Sequence, residues 1–561
     1  MHQHRNTKNF FLLFLIFYGF FYFSFTRAAT LGESRYFNID PLFGATNKKE
    51  IIATLLFESN QLYFYVDSSL WNSFSEGEKS EALINLSNLS FEFENRIYPI
   101  LTYNFGSEWN PGIDKDPKIT ILFHSLRKGA GGYFNKVNEY SKFENPNSNE
   151  REMIYLNSDY LTSPLVKRFL AHEFTHLITF NQKEHLQKIE EDVWLNEGRA
   201  EYAPTLLGYD DNHQGSNLQK RAFDFFKNPS NSLTEWNDFS SDYGIVNLFI
   251  QYLVDHYGVN ILSDSLKHNT KGIESINYIL SKNSYKEDFS QIFTNWTITV
   301  FVNNCSLGEK YCYKNKNLRN FKIFSTSEID LESNLSSNYM INVWSAFWQK
   351  FLSKNGKLIF EFNGVLGKNF VVPYILCEVS NNCQVLFINL DENKIGKIVI
   401  DNFEKYSYIV IIPSFHNNFS IFENTSFSSI VKIENKKEEQ ELIDQLSLKI
   451  EFLKNEINNL QNKIITSSDQ ENSCKRFQNN LYFGIKNNNE VRCLQEFLKK
   501  QDPAIYPEGL ITGNFLGLTK AAVIRLQERY AEEILHPLSL QKGTGYVGLA
   551  TRTKMNQLFN L

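Results

Sequence analysis

The sequence predicts a multidomain α+β protein, and three observations carry that expectation. A short strand signal and a series of amphipathic helices with a 3.6-residue period fill the first half. From Lys357 the texture changes to short apolar runs separated by Asn, Gly, Asp or Lys, the pattern of a small β-sandwich. Beyond residue 432 a heptad pattern precedes a compact tail punctuated by Gly and Thr. At 561 residues the chain is long enough for three or more domains. The expected boundaries are a signal peptide over 1–29, an α+β domain over 30–320 and the β-sandwich over 321–432. A coiled-coil helix over 433–466 and a three-helix domain over 474–561 follow. The 57 basic and 63 acidic residues are well mixed and leave a net charge of −6, so the chain carries no nucleic-acid footprint.

The N-terminus reads as an export signal. His2, His4, Arg5 and Lys8 precede an apolar run from Phe10 to Phe25, and Thr26-Arg27-Ala28-Ala29 offers small residues for cleavage after Ala28 or Ala29. The run is also near the length that spans a bilayer, so an uncleaved anchor is the alternative. Both place the protein outside the cytoplasm, secreted or at the cell envelope. Residues 30–60 are either a short propeptide or the first strand of the domain. Asp114-Lys115-Asp116-Pro117 reads as turn chemistry and carries no calcium claim. Gly129-Ala130-Gly131-Gly132-Tyr133 is a surface turn or a loop bordering a cleft; without a G-K-[ST] ending it is no phosphate loop.

Glu152 to Asn157 reads as a short strand, and Ser163-Pro164 as the cap and first residue of the helix after it. That helix carries His172-Glu173-Phe174-Thr175-His176. His172 and His176 are four apart, so both imidazoles leave one face, continuing the stripe begun by Leu165 and Phe169. Two such imidazoles grip a borderline-soft metal such as zinc, and Glu173 beside them can take a water proton. The next helix carries Trp194-Leu195-Asn196-Glu197-Gly198-Arg199-Ala200-Glu201, with Trp194, Glu197, Gly198 and Glu201 on one face. Glu197 is the expected third ligand to Zn2+. Glu201 is expected to orient one ligand histidine and Asn196 the other. Two histidines and a glutamate leave a fourth position open, the mark of a catalytic zinc. A surface helix with two solvated histidines is the bland alternative. The buried stripe and the second helix speak against it.

These residues resemble the gluzincin metallopeptidases, the thermolysin-like group with a glutamate as third zinc ligand. From about Leu62 to Gly258 the chain is more closely similar to hyicolysin-type peptidases. The matching pieces include Pro111-Gly112-Ile113-Asp114, Gly132-Tyr133-Phe134, Ser148 to Asn157, the two helices, and Tyr243-Gly244. The resemblance implies a zincin-like fold and a zinc endopeptidase with Glu173 as general base. It also implies a Tyr or His from a later helix as donor to the developing oxyanion. Tyr243 fits that place best, with Tyr202 and His185 as alternatives; packing is the competing role for each tyrosine.

Helical periodicity continues through Val246–Tyr257 and Phe289–Val302. The sandwich is expected from Leu358–Phe362, Phe370–Val372, Gln384–Ile388, Lys397–Ile400 and Tyr408–Ile412. Its ligand, if it has one, is not written in those runs. Six cysteines fall in three local pairs, Cys305 with Cys312, Cys377 with Cys383 and Cys474 with Cys493, and local disulfides are the simplest expectation in an exported chain. Ile443, Ile450, Ile457 and Ile464 share one heptad position, with Leu446, Leu453 and Leu460 three residues on. Ile at a with Leu at d favours a parallel two-stranded coil, hence a homodimer through 443–464. Lys449 would face Lys454 of that partner, and a monomeric spacer is the alternative.

The tail holds Leu494-Gln495, Gly509 to Phe515, Thr519 to Gln527 and Gly545-Tyr546-Val547-Gly548 with Thr551. It resembles the small three-helix peptidoglycan-binding domain of cell-wall enzymes. It departs in Leu526, where an aromatic is usual, and in the insert Tyr530–Lys542. The resemblance implies peptidoglycan as partner. Three functions are therefore in play: an endopeptidase acting on proteins and retained at the wall, an endopeptidase cutting wall cross-links, and a non-catalytic wall adhesin. Intact Glu173, Glu197 and Glu201 argue against the last, which needs no general base.

Overall fold

The computed structural model describes residues 30–331, 334–380, 382–434, 436–465 and 474–559; the expected signal peptide over 1–29 and the segment 466–473 lie outside the described residues. Strands β1 (Ser34–Asn38), β2 (Glu50–Glu58), β3 (Leu62–Asp67), β4 (Ile119–His124), β5 (Gly132–Phe134) and β6 (Met153–Asn157) form one sheet in the order β1-β2-β3-β4-β6-β5. Residues 30–60 thus include two strands of this sheet. β3, β4 and β6 run parallel and are buried at every position except Asp67, as strands covered on both faces must be. One face packs Phe64, Phe123 and Leu156 against the helices; the other packs Tyr65, Leu122 and Tyr155 against Phe37 and Leu55. β5 pairs antiparallel with β6 at the edge of the sheet.

Helices α1 (Ser68–Ser73), α2 (Glu76–Glu92) and α3 (Tyr98–Phe105) separate β3 from β4. α2 opens with a reciprocal capping box between Ser75 and Glu78. α4 (Val166–Thr179) crosses the sheet beside β5 and β6, then α5 (Val193–Leu206), α6 (Asn217–Lys227) and α7 (Ser240–Tyr257) pack against it and one another. α4 begins two residues later than the sequence suggested. Ser163 instead closes a turn, its carbonyl accepting from Val166 N at 3.1 Å and its hydroxyl from Leu165 N at 3.3 Å. Glycines set two of the helix contacts: a Cβ at Gly198 would lie 2.7 Å from Ile250, and one at Gly244 would lie 2.5 Å from Phe225 N. α8 (Asn260–Lys267), α9 (Gly272–Lys282) and α10 (Phe289–Val302) complete the helical region.

Strands β7 (Ser327–Ile329), β8 (Leu335–Asn342), β9 (Ser345–Ala346), β10 (Gln349–Leu352), β11 (Lys357–Asn363) and β12 (Asn369–Val371) follow. β13 (Pro373–Glu378), β14 (Cys383–Phe387), β15 (Ile395–Ile400), β16 (Tyr406–Ile411), β17 (Ser414–His416) and β18 (Asn424–Glu434) end the region. They form sheets ordered β14-β13-β16-β10-β7, β15-β11-β18-β8 and β12-β17-β9. Phe351 of β10 meets Phe360 of β11 with ring centroids 5.8 Å apart, so the two larger sheets share a core. Sequence runs marked β11, β12, β14, β15 and β16; β7 to β10, β13, β17 and the eleven-residue β18 were not anticipated. Trp348 Nε1 donates to Thr297 O at 2.9 Å, and Trp344 packs on Phe289 and Phe293, joining these sheets to α10. The hydrophobic core is continuous across both regions.

The chain divides into two compact units, Met1–Gln440 and Glu441–Leu561. The α11 helix (Lys436–Ile465) carries the heptads, and Ile443, Leu446, Ile450, Leu453, Ile457 and Leu460 are all about half exposed on it. The second unit packs α12 (Asn489–Gln501), α13 (Gly517–Arg529), the short α14 (Ala531–Ile534) and α15 (Leu549–Phe559) around Leu494, Leu498, Phe515, Val523, Leu526 and Val547. It contains an internal repeat. Gln495 donates to Thr519 Oγ1 and accepts from Gly513 N; Gln527 donates to Thr551 Oγ1 and accepts from Gly545 N. The two buried glutamines stand at the same sequence offsets from their partners, so each ties a helix to the glycine turn and the helix after it. All three local disulfides are formed. Among the described residues no helix is long and apolar enough to cross a membrane.

Candidate functional site

α4 and α5 bring His172, His176 and Glu197 to one point. His172 Nε2 and His176 Nε2 face each other at 3.2 Å, and the Glu197 carboxylate lies 3.4 Å from the first and 3.6 Å from the second. The remaining ring nitrogens have partners of their own. His172 Nδ1 lies 3.5 Å from Glu201 Oε1, and His176 Nδ1 lies 3.0 Å from Asn196 Oδ1. A carboxylate and an amide oxygen only accept, so each Nδ1 is placed to hold its proton, which aims both Nε2 atoms and the Glu197 carboxylate at one point. Without a cation there, His172 Nε2 keeps a proton against Glu197; a cation would take that proton's place. That donor set suits a borderline metal such as zinc. His172, Glu173 and His176 also offer ligand atoms within 4.8 Å of one another.

Burial works against charge at all of these groups, and their neighbours decide the outcome. It opposes protonation of His172, but the Glu197 contact and the surrounding carboxylates carry that imidazole up to about 9. It pushes the Glu173 carboxyl up to about 8 against the pull of His172. It would raise Glu201 too, but Arg221 brings that carboxyl down to about 2. Arg221 of α6 grips Glu201 through Nε at 2.7 Å and Nη2 at 2.5 Å, and Asn217 adds 2.8 Å.

The cleft in front of these groups has a volume of about 640 Å³ and is lined by Gly129 to Gly132, Phe169, His172, Glu173, Arg221 and Tyr243 among others. The glycine loop borders it by necessity. A Cβ at Gly131 would strike Phe169 at 2.2 Å, and one at Gly132 would sit 2.9 Å from Glu173 Cγ. Tyr243 reaches the cleft from α7; its hydroxyl donates to Asp238 at 2.9 Å and its ring lies under the Arg221 guanidinium at 4.5 Å. His185 stacks on Trp109 at 4.1 Å, and neither it nor Tyr202 lines the cleft.

Sequence reasoning missed Arg221, Asn217, Asp238 and Arg199. Arg221 had a signal, since it shares the apolar stripe of Leu218, Ala222 and Phe225 in α6. Arg199 is fully buried and holds Glu191 at 2.7 Å, Ser265 at 2.9 Å and Leu262 O at 3.2 Å, which braces α5 against α8.

No family model matches the sequence, and no curated protein does. Solved structures that align with part of the chain include a periplasmic inhibitor of g-type lysozyme from Aeromonas hydrophila, at 8% identity over 19% of this chain and 96% of that one. Another is the pre-peptidase C-terminal domain of a collagenase from Bacillus anthracis, at 10% identity over 19% and 93%. A third is the mitogen from Yersinia pseudotuberculosis, at 10% identity over 18% and 88%. Each has a TM-score of 0.14, too low to carry any argument about this chain.

Proposed function

We propose that the chain is an exported zinc endopeptidase of gluzincin type, hydrolysing peptide bonds of proteins and retained at the cell wall by its C-terminal unit. The observation that carries this reading is the convergence of the His172 and His176 Nε2 atoms with the Glu197 carboxylate, each histidine fixed from behind by Glu201 or Asn196. His172, His176 and Glu197 would hold the zinc. When bound, zinc acidifies a water molecule and polarises the scissile carbonyl.

The chain's own residues do the rest. Glu173, buried and beside the ligands, takes the water proton and returns it to the leaving amine. A cation at the three ligands would favour its charged, proton-accepting form, and burial favours the protonated form that then serves the leaving amine. Tyr243 borders the cleft with its ring under Arg221, and its hydroxyl, which here donates its one proton to Asp238, is the donor we assign to the developing oxyanion once it turns from Asp238 to the substrate. β5 at the sheet edge offers backbone groups for pairing with an extended substrate, a mode that tolerates many side chains. The C-terminal unit's resemblance to peptidoglycan-binding domains favours a second reading, in which the wall's own peptide cross-links are the substrate. The half-exposed heptad face of α11 supports pairing with a second copy.

The test is metal content together with substrate choice. About one zinc per chain is expected in the wild type, lost in His176→Ala and Glu197→Ala. Casein cleavage without soluble release from purified wall supports the first reading, and release from wall without casein cleavage supports the second. Wall binding with neither would leave an adhesin.

A further inference from the structure

The cleft in front of the zinc-type ligands is basic, although the chain as a whole has a net charge of −6. Among the described residues its lining holds five cationic side chains, Arg127, Lys128, Arg168, Lys220 and Arg221, against three carboxylates, Glu173, Glu201 and Asp238. Two of the cations are neutralised in place. Arg221 grips Glu201 at 2.5 Å, and Arg127 meets Asp238 at 2.6 Å. Lys128 is exposed beside the glycine loop. Arg168 and Lys220 are different: both line the cleft, and neither forms an ion pair among the described residues.

Their places bring them close to the reacting groups. Arg168 lies one turn before His172 on α4, about 6 Å along the helix axis. Lys220 lies next to Arg221 in α6. Arg168 Nη1 donates to Gly215 O at 3.0 Å, which ties it to the turn before α6 and uses one of its five N–H donors. The Lys220 ammonium makes no hydrogen bond among the described residues. Carboxylates within electrostatic reach are already engaged. Asp210, near Arg168, accepts from Thr205 Oγ1 at 2.7 Å and Leu218 N at 3.2 Å. Asp224, near Lys220, is held by Arg221 at 3.3 Å and Lys227 at 2.7 Å. Desolvation lowers the pKa of both cations, and Arg221 lowers that of Lys220 further, so each gains from an anion brought into the cleft.

We infer that this wall is a specificity subsite, in which Arg168 and Lys220 receive the carboxylate of an Asp or Glu side chain beside the scissile bond. The inference rests on the endopeptidase reading above and names the class of substrate it takes. A guanidinium presents a planar fork to a carboxylate, and the ammonium adds a point charge. A Lys or Arg side chain in the same place meets like charges, so the wall rejects basic neighbours as well as favouring acidic ones. Backbone pairing along β5 tolerates many side chains; the two cations supply the choice that such pairing lacks.

The test uses the zinc-loaded full chain and quenched fluorescent peptides of one sequence, carrying Glu, Gln or Lys on either side of the same bond. Glu should raise kcat/KM at least about tenfold over Gln on one side of that bond, with Lys below both and the gap narrowing as salt is added. Arg168→Gln should bring the Glu-to-Gln ratio to about 1. Lys220→Glu, at an exposed position, should reverse the order in favour of the Lys peptide, which a loss of folding would not do. Binding of the same peptides to Glu173→Ala, followed by fluorescence anisotropy, reads the preference without hydrolysis. Preferred binding of the Glu peptide with no peptide cleaved by the wild type would remove the endopeptidase reading and keep the subsite. Equal treatment of the Glu and Gln peptides, an unchanged order in Lys220→Glu, or no binding at all would overturn the subsite.

Discussion

Two groups of buried carboxylates stand in the same sheet-and-helix region, and their surroundings treat them in opposite ways. Glu201 is almost fully buried yet meets Arg221 and Asn217, so burial's upward push is overcome and its carboxyl falls to about 2. Glu139 and Glu152 are buried just as deeply but meet only one backbone donor, Ile113 N at 2.9 Å, besides each other and Asp114, so burial pushes both up. Burial alone therefore does not say whether a carboxyl is charged. The donors and charges facing its oxygens do. Glu201 is held charged by a guanidinium, whereas Glu139 and Glu152 face one another and one carboxyl hydrogen-bonds the other.

The largest effect should come from removing the guanidinium that distinguishes the first group. Arg221→Met leaves Glu201 as an uncompensated buried charge and should cost about 3–5 kcal/mol in urea unfolding. A change under about 1 kcal/mol would mean that Glu201 does not depend on that partner. The second group should respond to pH instead. The folded protein binds extra protons at Glu139 and Glu152, because the folded pKa values lie above the unfolded one. Stability is then fully present below about pH 4.5 and falls as pH rises through about 7, by on the order of 3 kcal/mol from Glu152. Glu139→Gln should flatten that slope, and an equal slope in wild type and variant would break the comparison.

A smaller effect is expected at His172 and His176, the proposed ligands. Asn196→Ala removes the acceptor on His176 Nδ1 and should weaken zinc affinity about 10–100-fold, read by competition with a chromogenic chelator. Smallest in consequence for the cleft, Gln527→Leu should destabilise the C-terminal unit by about 1–3 kcal/mol, because Gly545 N loses its acceptor. A calorimetric scan of the full chain would show that loss in one transition.

How much of this was legible in the sequence follows from how each group is built. His172, Glu173, His176, Glu197 and Glu201 lie on two helices, where spacing fixes direction, so their convergence was foreseeable from position alone. Asn196 follows from its place beside Glu197. Arg221 and Asp238 arrive from later elements and are reached only through tertiary packing. Glu139, Glu152 and Asp114 come from three separate loops, and no periodicity connects them. The strands β13 and β18 escaped notice for another reason: one begins with Pro373, and the other dilutes its alternation with Thr425, Ser426, Ser428 and Ser429. In the C-terminal unit the glycine turns and apolar core were readable, whereas the buried Gln495 and Gln527 look like surface residues until their partners are seen.

The most direct measurement pairs hydrolysis of casein by the full chain with that by Glu173→Ala, zinc content being determined for both. About one zinc in each, with cleavage by the wild type and a loss of at least about 1000-fold in the variant, is the expected result. Equal cleavage by both would contradict Glu173 as the general base, and a wild type that holds no zinc would contradict the metal centre itself.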